Sequence, residues 1–126
     1  MTDESSDEVP TRDGGPVRVF EAGLGRAELF DVGTVPLARV TYQPGFHWYD
    51  DWREATRSPE WCQRRHAGVV LSGHLHLNLE DGSTMDCVAG EAYDIPPGHD
   101  GRVVGDEPWV AIDSEAHKLF TFLDEQ

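Results

Sequence analysis

Two segments of the sequence decide the fold, His66-Ala-Gly-Val-Val-Leu-Ser-Gly73 and Gly90-Glu-Ala-Tyr-Asp-Ile-Pro-Pro-Gly98-His99. Each joins a short run of strand-forming residues to a glycine, which favours a β-strand that ends in a tight turn. Each also carries a histidine, a side chain that commonly binds metal ions. Two such units in one small chain predict an all-β barrel with a metal or ligand site inside it.

Short apolar segments separated by turn signals continue on both sides of these units. Asp81-Gly82 is a hairpin signal, and Gly105-Asp-Glu-Pro108 marks a further turn. The predicted strands are Val17–Phe20, Ala27–Phe30, Leu37–Tyr42, His66–Leu71, His74–Leu79, Glu91–Ile95 and Trp109–Ile112. Regularly spaced short strands are typical of a sandwich or barrel. The segment Lys118–Leu123 fits either a last strand or one helical turn.

The length of 126 residues fits a single domain. Residues 1–15 are acidic and polar and end in Asp13-Gly14-Gly15, so we expect a disordered N-terminal tail. Residues 16–126 then form the barrel domain.

The net charge of −14, from 24 acidic and 10 basic residues, excludes several classes of partner. Phosphate backbones and anionic membranes both select for clustered Lys and Arg, so we expect neither nucleic-acid nor membrane binding. The N-terminus lacks the basic and apolar regions of a signal peptide. Because two cysteines are too few for a disulfide framework, we expect a cytoplasmic protein.

The motifs of the chain resemble the cupin superfamily over residues 36–113. The resemblance rests on Pro44-Gly45, on His66 with six residues before Gly73, and on Gly90 with five residues before Pro96-x-Gly98. A narrower likeness is to small single-domain bacterial cupins, through Cys62-Gln-Arg-Arg-His66, Pro96-Pro-Gly-His99-Asp100 and Gly105-Asp-Glu-Pro108. It implies one jelly-roll barrel, a double-stranded β-helix, that forms a homodimer in which N-terminal strands pair.

The usual cupin ligands are substituted in this sequence. Counting back from Gly73, His66 stands at the usual Glu position, Cys62 at the second His position and Glu60 at the first. Gly101 stands at the last His position, and His99 lies two residues earlier, which on a strand is the same face. His47 follows Pro44-Gly45-Phe46, where cupins often place their first ligand.

Imidazole and thiolate suit transition metals, whereas calcium and magnesium prefer oxygen ligands. The sequence therefore predicts a divalent transition metal held by His66 and His99. Cys62, His47 and Glu60 stay open as the residue that completes the set. Zinc or iron is expected, with nickel, manganese or copper as alternatives. In the other interpretation, His66 is a hydrogen-bonded interior histidine and Cys62 a small apolar core residue.

Aromatic residues crowd the segment between Phe46 and Trp61. Trp48, Tyr49 and Trp52 are candidate substrate-binding residues at the mouth of the barrel, or else an extension of the core. Asp100 is a candidate partner that orients His99 or Arg102. His74 and His76 alternate with inward leucines, so we expect both to face outward.

Two functional classes remain for such a site, and catalytic residues cannot be assigned. The first, which we favour, is a metal-dependent enzyme of the oxygenase, isomerase or lyase type that acts on a small molecule. The second is a noncatalytic protein that binds or senses a small molecule or a metal in the same cavity.

Overall fold

The computed structural model describes residues 15, 16 and 18–118. The predicted tail, except for Gly15, and residues 119–126 lie outside the described part. The described residues form a helix, α1 (Trp48–Asp51), and the strands β1 (Arg18–Ala22), β2 (Gly25–Val32), β3 (Val35–Tyr42), β4 (His66–Ser72), β5 (His74–Leu79), β6 (Thr84–Val88), β7 (Ala92–Ile95), β8 (His99–Val103) and β9 (Trp109–Asp113). No helix among them is long and apolar enough to cross a membrane.

The strands form two antiparallel sheets, which confirms the predicted all-β class. One sheet has the order β1-β2-β3-β9-β4-β7 and the other has the order β6-β5-β8. Strand β9 lies between β3 and β4, so Asp113 is in register with Ala38 on one side and Gly68 on the other. This pairing brings the end of the described chain into the middle of the larger sheet.

The inward residues of both sheets make one core. Strand β5 shows the expected alternation, with Leu75 and Leu77 buried and His74 and His76 on the outer face. The strand residues of the core are Phe20, Ala27, Ala38, Val40, Val70, Leu75, Leu77, Cys87, Tyr93, Ile95, Val103, Trp109 and Ala111. Burial of each large apolar side chain contributes about 1.5–3 kcal/mol to folding.

The aromatic segment between β3 and β4 covers one end of the core and is tied to β8 at two points. The Val103 amide donates to the Phe46 carbonyl oxygen at 3.0 Å, and the Cys62 amide donates to the His99 carbonyl oxygen at 2.9 Å. Phe46, Trp48 and Trp52 are fully or almost fully buried. The segment therefore extends the core and also places Cys62 beside the start of β8.

Two strands of the structure, β6 and β8, are missing from the sequence-based prediction. Strand β8 reads His-Asp-Gly-Arg-Val, with a single apolar side chain and a central glycine, so hydrophobic alternation does not reveal it. Strand β6 alternates only weakly, with Cys87 as its one buried residue. Both strands are defined by pairing with β5.

Candidate metal centre

Cys62, His66 and His99 converge inside the barrel. One ligand atom from each lies within 4.8 Å of those from the other two. The Cys62 Sγ is 3.9 Å from His66 Nε2, and the His66 and His99 ring centroids are 5.2 Å apart at an angle of 70°. His66 opens β4, His99 opens β8, and Cys62 bridges to His99 in the backbone. Three separate parts of the chain thus meet at this point.

Polar contacts at the outer nitrogens orient both imidazoles. His99 Nδ1 lies 2.8 Å from the Pro96 carbonyl oxygen. A carbonyl oxygen only accepts, so Nδ1 carries the proton and the Nε2 lone pair of neutral His99 is available. His66 Nδ1 lies 3.4 Å from Asp113 Oδ2, while its Nε2 faces the Cys62 sulfur. Such outer partners fix the orientation of metal-binding histidines.

Asp113 was not among the predicted site residues. Its carboxylate is 3% exposed and accepts hydrogen bonds from Tyr93 Oη at 2.6 Å and from the Glu115 and Ala116 amides at 2.8 and 2.6 Å. The sequence did hold a signal for it. The inward-facing residues of β9 are Trp109, Ala111 and Asp113. A carboxylate at an inward-facing position indicates a buried polar contact, because a buried charge needs a partner.

The Cys62 thiol and the His66 imidazole shift each other's pKa. Burial of the Cys62 thiol opposes its ionisation, but hydrogen bonds to His66 and His99 outweigh burial and lower the pKa to about 6. Burial likewise disfavours the His66 cation, but hydrogen bonds to Asp113 and Cys62 raise the pKa to about 9. Without a metal ion these shifts favour a thiolate–imidazolium pair, and a bound ion would take the place of the His66 Nε2 proton. Thiolate is the form of cysteine that binds metals.

A small cavity of about 30 Å³ adjoins the centre. Apart from His66, His99 and Asp113, its walls are mostly apolar and aromatic. The lining residues include Val40, Tyr42, Phe46, Trp48, Trp52, Leu75, Leu77, Ile95 and Trp109. Trp48 is 4% exposed, and its indole Nε1 has no hydrogen-bond partner among the described residues.

The other candidate residues lie apart from the three. His47 Nε2 is 2.7 Å from Asp100 Oδ2 and its Nδ1 is 3.0 Å from Asp50 Oδ2, so both ring nitrogens are engaged. Glu60 is exposed. Tyr49 is 39% exposed, and the guanidinium carbon of Arg53 lies 4.4 Å from its ring centroid. Of the three candidate substrate-binding residues, Trp48 and Trp52 line the cavity and Tyr49 does not.

Asp100 does not orient His99 or Arg102. Besides the bond to His47, it accepts a hydrogen bond from the Tyr49 amide at 3.1 Å. The Pro96 carbonyl orients His99 instead. Asp100 therefore fixes the aromatic segment to β8, a contact between distant parts of the chain that sequence spacing does not reveal.

The three side chains fit a transition-metal ion in their chemistry. One thiolate and two imidazoles are the ligand types of zinc and iron, and the three leave a coordination position open. Gly101, the position where cupins carry their last histidine, faces the same cavity, but a Cβ there would lie 3.0 Å from Leu77 Cδ2. His99 offers its imidazole from a position on the same face of β8.

No protein-family model matches the chain, and no curated protein sequence matches it. Solved structures do match the chain. An RmlC-like cupin from Shewanella frigidimarina NCIMB 400 aligns with a TM-score of 0.54 and 15% identity, over 82% of this chain and 88% of its own. A protein of unknown function from Rhizobium leguminosarum bv. viciae 3841 aligns with a TM-score of 0.52 and 20% identity, over 74% of this chain and 82% of its own.

The third structure is the S161A mutant of Bacillus subtilis oxalate decarboxylase OxdC, with a TM-score of 0.53 and 21% identity. The alignment covers 76% of this chain and 26% of that protein, so the chain spans about a quarter of the decarboxylase. The sheet order, the cavity between the sheets and these alignments agree with one another. The chain has the cupin fold.

Proposed function

We propose that Cys62, His66 and His99 bind one divalent transition-metal ion, zinc or iron, and that the protein is a metal-dependent enzyme acting on a small molecule. The observation that supports this most strongly is the approach of three ligand atoms within 4.8 Å beside a mostly apolar cavity. Thiolate and imidazole are good ligands for transition metals, and a single ion would contact all three side chains at once. His47 and Glu60 are left out of this ligand set.

The residues around the ion have distinct tasks in this proposal. Asp113 and the Pro96 carbonyl hold His66 and His99 with their Nε2 atoms toward the centre. When bound, the ion would act as a Lewis acid toward a substrate oxygen or activate water or dioxygen, as in oxygenases, isomerases and lyases. Trp48 and Trp52 exclude bulk water from the cavity.

A noncatalytic sensor is the second candidate. Its support concerns Asp113, the one carboxylate among the described residues that line the cavity. Asp113 is already engaged by Tyr93, His66 and two backbone amides. A carboxylate held in this way is poorly placed to move a proton to or from a substrate. Turnover of small acids and alcohols by metal-loaded protein supports the enzyme, whereas ligand-induced stabilisation without turnover supports the sensor.

Metal analysis tests the proposed site. We expect about one ion per chain in the wild type and nearly none in His66→Ala or His99→Ala, because two ligands rarely retain a structural or catalytic ion. Cys62→Ser should weaken binding with little change of volume. His76→Ala, on the outer face of β5, is the matched control and should keep full occupancy. Each purified variant is measured by elemental analysis after its fold is checked by circular dichroism.

The same samples give a second measurement. Added zinc should raise the melting temperature of the wild type and of His76→Ala but not of the other histidine variants, because only protein that binds the ion gains stability from it. Full occupancy in both His66→Ala and His99→Ala would place the metal elsewhere and refute the proposal.

We propose further that the protein works in the cytoplasm as a homodimer and binds neither nucleic acid nor membrane. Cys62 and Cys87 are both free and buried, which suits a reducing compartment. The net charge of −14 opposes polyanionic partners. For the dimer, the support is strand β1, which is the outermost strand of the larger sheet among the described residues and exposes 44% of Val19. An apolar edge strand is a template for pairing with a second copy.

A further inference from the structure

We infer that the open position of the metal centre takes a compact ligand of about two to four non-hydrogen atoms, one of which accepts a hydrogen bond from the Trp48 indole N–H. This inference rests on the proposed metal site and adds to it the size of the ligand and the residue that recognises it. The ligand class is that of azide or a one-carbon acid.

The indole N–H of Trp48 differs from those of the two other tryptophans that line the cavity. Trp52 Nε1 donates to the Ala22 carbonyl oxygen at 3.1 Å, and Trp109 Nε1 donates to the Cys87 carbonyl oxygen at 3.0 Å. Trp48 Nε1 is buried and donates to none of the described residues. Buried polar groups are nearly always hydrogen-bonded, so a buried donor without a partner calls for a ligand or an ordered water.

The position of Trp48 connects this donor to the metal centre. Its side chain lines the same cavity as His66, His99 and Gly101. Backbone contacts fix the segment that carries it, because His47 bridges to Arg102 of β8 and the Trp52 amide donates to the Trp48 carbonyl oxygen at 2.9 Å. A donor on a rigidly held residue that lines a cavity would recognise a ligand at little cost in ordering.

The size of the cavity limits the ligand. A site for a drug-sized molecule has roughly 300–1,000 Å³, whereas one enclosed water needs about 10–15 Å³. The cavity offers about 30 Å³. Gly101 contributes to this space, since any side chain there would approach Leu77. The structure therefore has room for a few atoms beside the ion and not for a sugar or an aromatic ring.

The test is azide binding to cobalt-loaded protein, followed by visible absorption. Removing one hydrogen bond to a charged ligand weakens binding about tenfold or more, so we expect that rise in Kd for Trp48→Phe. Tyr49→Phe is the control, since Tyr49 belongs to the same aromatic segment as Trp48 but does not line the cavity. Its azide Kd should stay within about twofold of wild type, and an equal loss in both variants would overturn the role of Trp48.

A second measurement needs no substitution. In zinc-loaded wild-type protein, the Trp48 indole N–H resonance should shift when azide or formate is added, while that of Trp109 stays in place. Benzoate should fail to compete with azide for the cobalt centre, and competition equal to that of formate would overturn the size limit. If the wild type binds no cobalt, the proposed metal site fails as well. If it binds cobalt and the Trp48 resonance ignores azide, this inference alone fails.

Discussion

Asp113 is the residue on which the geometry of the centre depends most. It holds His66 through Nδ1 and is itself fixed by Tyr93 and two backbone amides. Burial alone would raise the pKa of its carboxyl, but the contact with His66 outweighs burial and lowers the pKa. The carboxylate therefore stays charged where the metal is expected to bind.

Replacing Asp113 by Asn should weaken the site and the fold together. The amide keeps the size but places an N–H₂ group among donors, so we expect zinc affinity to fall about 10–100-fold and the free energy of unfolding to fall by about 1–3 kcal/mol. Competition with a chromogenic chelator gives the affinity, and urea unfolding of metal-free protein gives the stability.

The control for this substitution is Asp94→Asn. Asp94 pairs with Arg65 on the surface at 2.9 Å, with both side chains more than half exposed. Its loss should leave both the free energy of unfolding and the zinc affinity nearly unchanged, because solvent screens an exposed ion pair. Wild-type zinc affinity in Asp113→Asn would show that His66 needs no orienting carboxylate.

At this scale the sequence predicted the three ligand candidates but not their partners. Cys62, His66 and His99 follow from spacing along one strand face and from the motif resemblance. Their partners depend on register between distant strands, such as Gly68 opposite Asp113. Asp100 shows the same limit, since its contact with His47 spans 53 positions of the chain.

Among the elements, the turn between β4 and β5 depends most directly on one residue of the motif. Gly73 has φ +85°, and a Cβ there would lie 2.3 Å from the Pro108 carbonyl oxygen and 2.7 Å from Trp109 Cα. Both atoms belong to the backbone and cannot move aside as the end of a side chain can. The motif therefore needs glycine for two reasons, the backbone angle and the close approach of the chain.

Two glycine substitutions separate these reasons. Gly82 has φ +94°, but a Cβ there meets no atom of the described residues within 4 Å. Gly82→Ala should cost about 1–2 kcal/mol, for the left-handed conformation alone. Gly73→Ala adds a backbone clash and should cost at least about 3 kcal/mol. Urea unfolding of both variants measures the difference, and equal costs would mean that the chain near Pro108 shifts freely.

The sequence predicted the strands in which apolar and polar side chains alternate. It did not predict the strands that are defined only by hydrogen-bonded pairing with a neighbouring strand. Strands β4 and β5 were placed from their apolar phase, and the inward phase of Leu75 and Leu77 was predicted with them. Strand β8 carries a histidine and a glycine on its inward face, because that face lines the cavity rather than the apolar core. Because the inward face of β8 forms the site, this strand lacks the apolar alternation from which it could have been predicted.

For the whole molecule, short strands and turn signals sufficed to predict one all-β barrel. They did not predict the sheet order, in which β9 lies between β3 and β4 and pairs with β3 across 67 to 75 positions of the chain. Such long-range pairing depends on how the two sheets pack around the core. The aromatic segment illustrates this, since Trp48 and Trp52 both extend the core and line the cavity, two roles that the sequence presented as alternatives.

The proposed dimer is a property of the whole molecule and can be tested by its mass in solution. If β1 strands of two copies pair, the wild type should elute with twice the single-chain mass of 14.1 kDa in chromatography with light scattering. Val19→Lys puts a charge on the edge, a device that blocks strand pairing, and should give the single-chain mass. Val69→Lys is the matched control. Val69 is 45% exposed, close to the 44% of Val19, but it lies on β4 within the sheet. It should remain a dimer. Dissociation by Val69→Lys and not by Val19→Lys would move the contact from the edge to the face of the sheet.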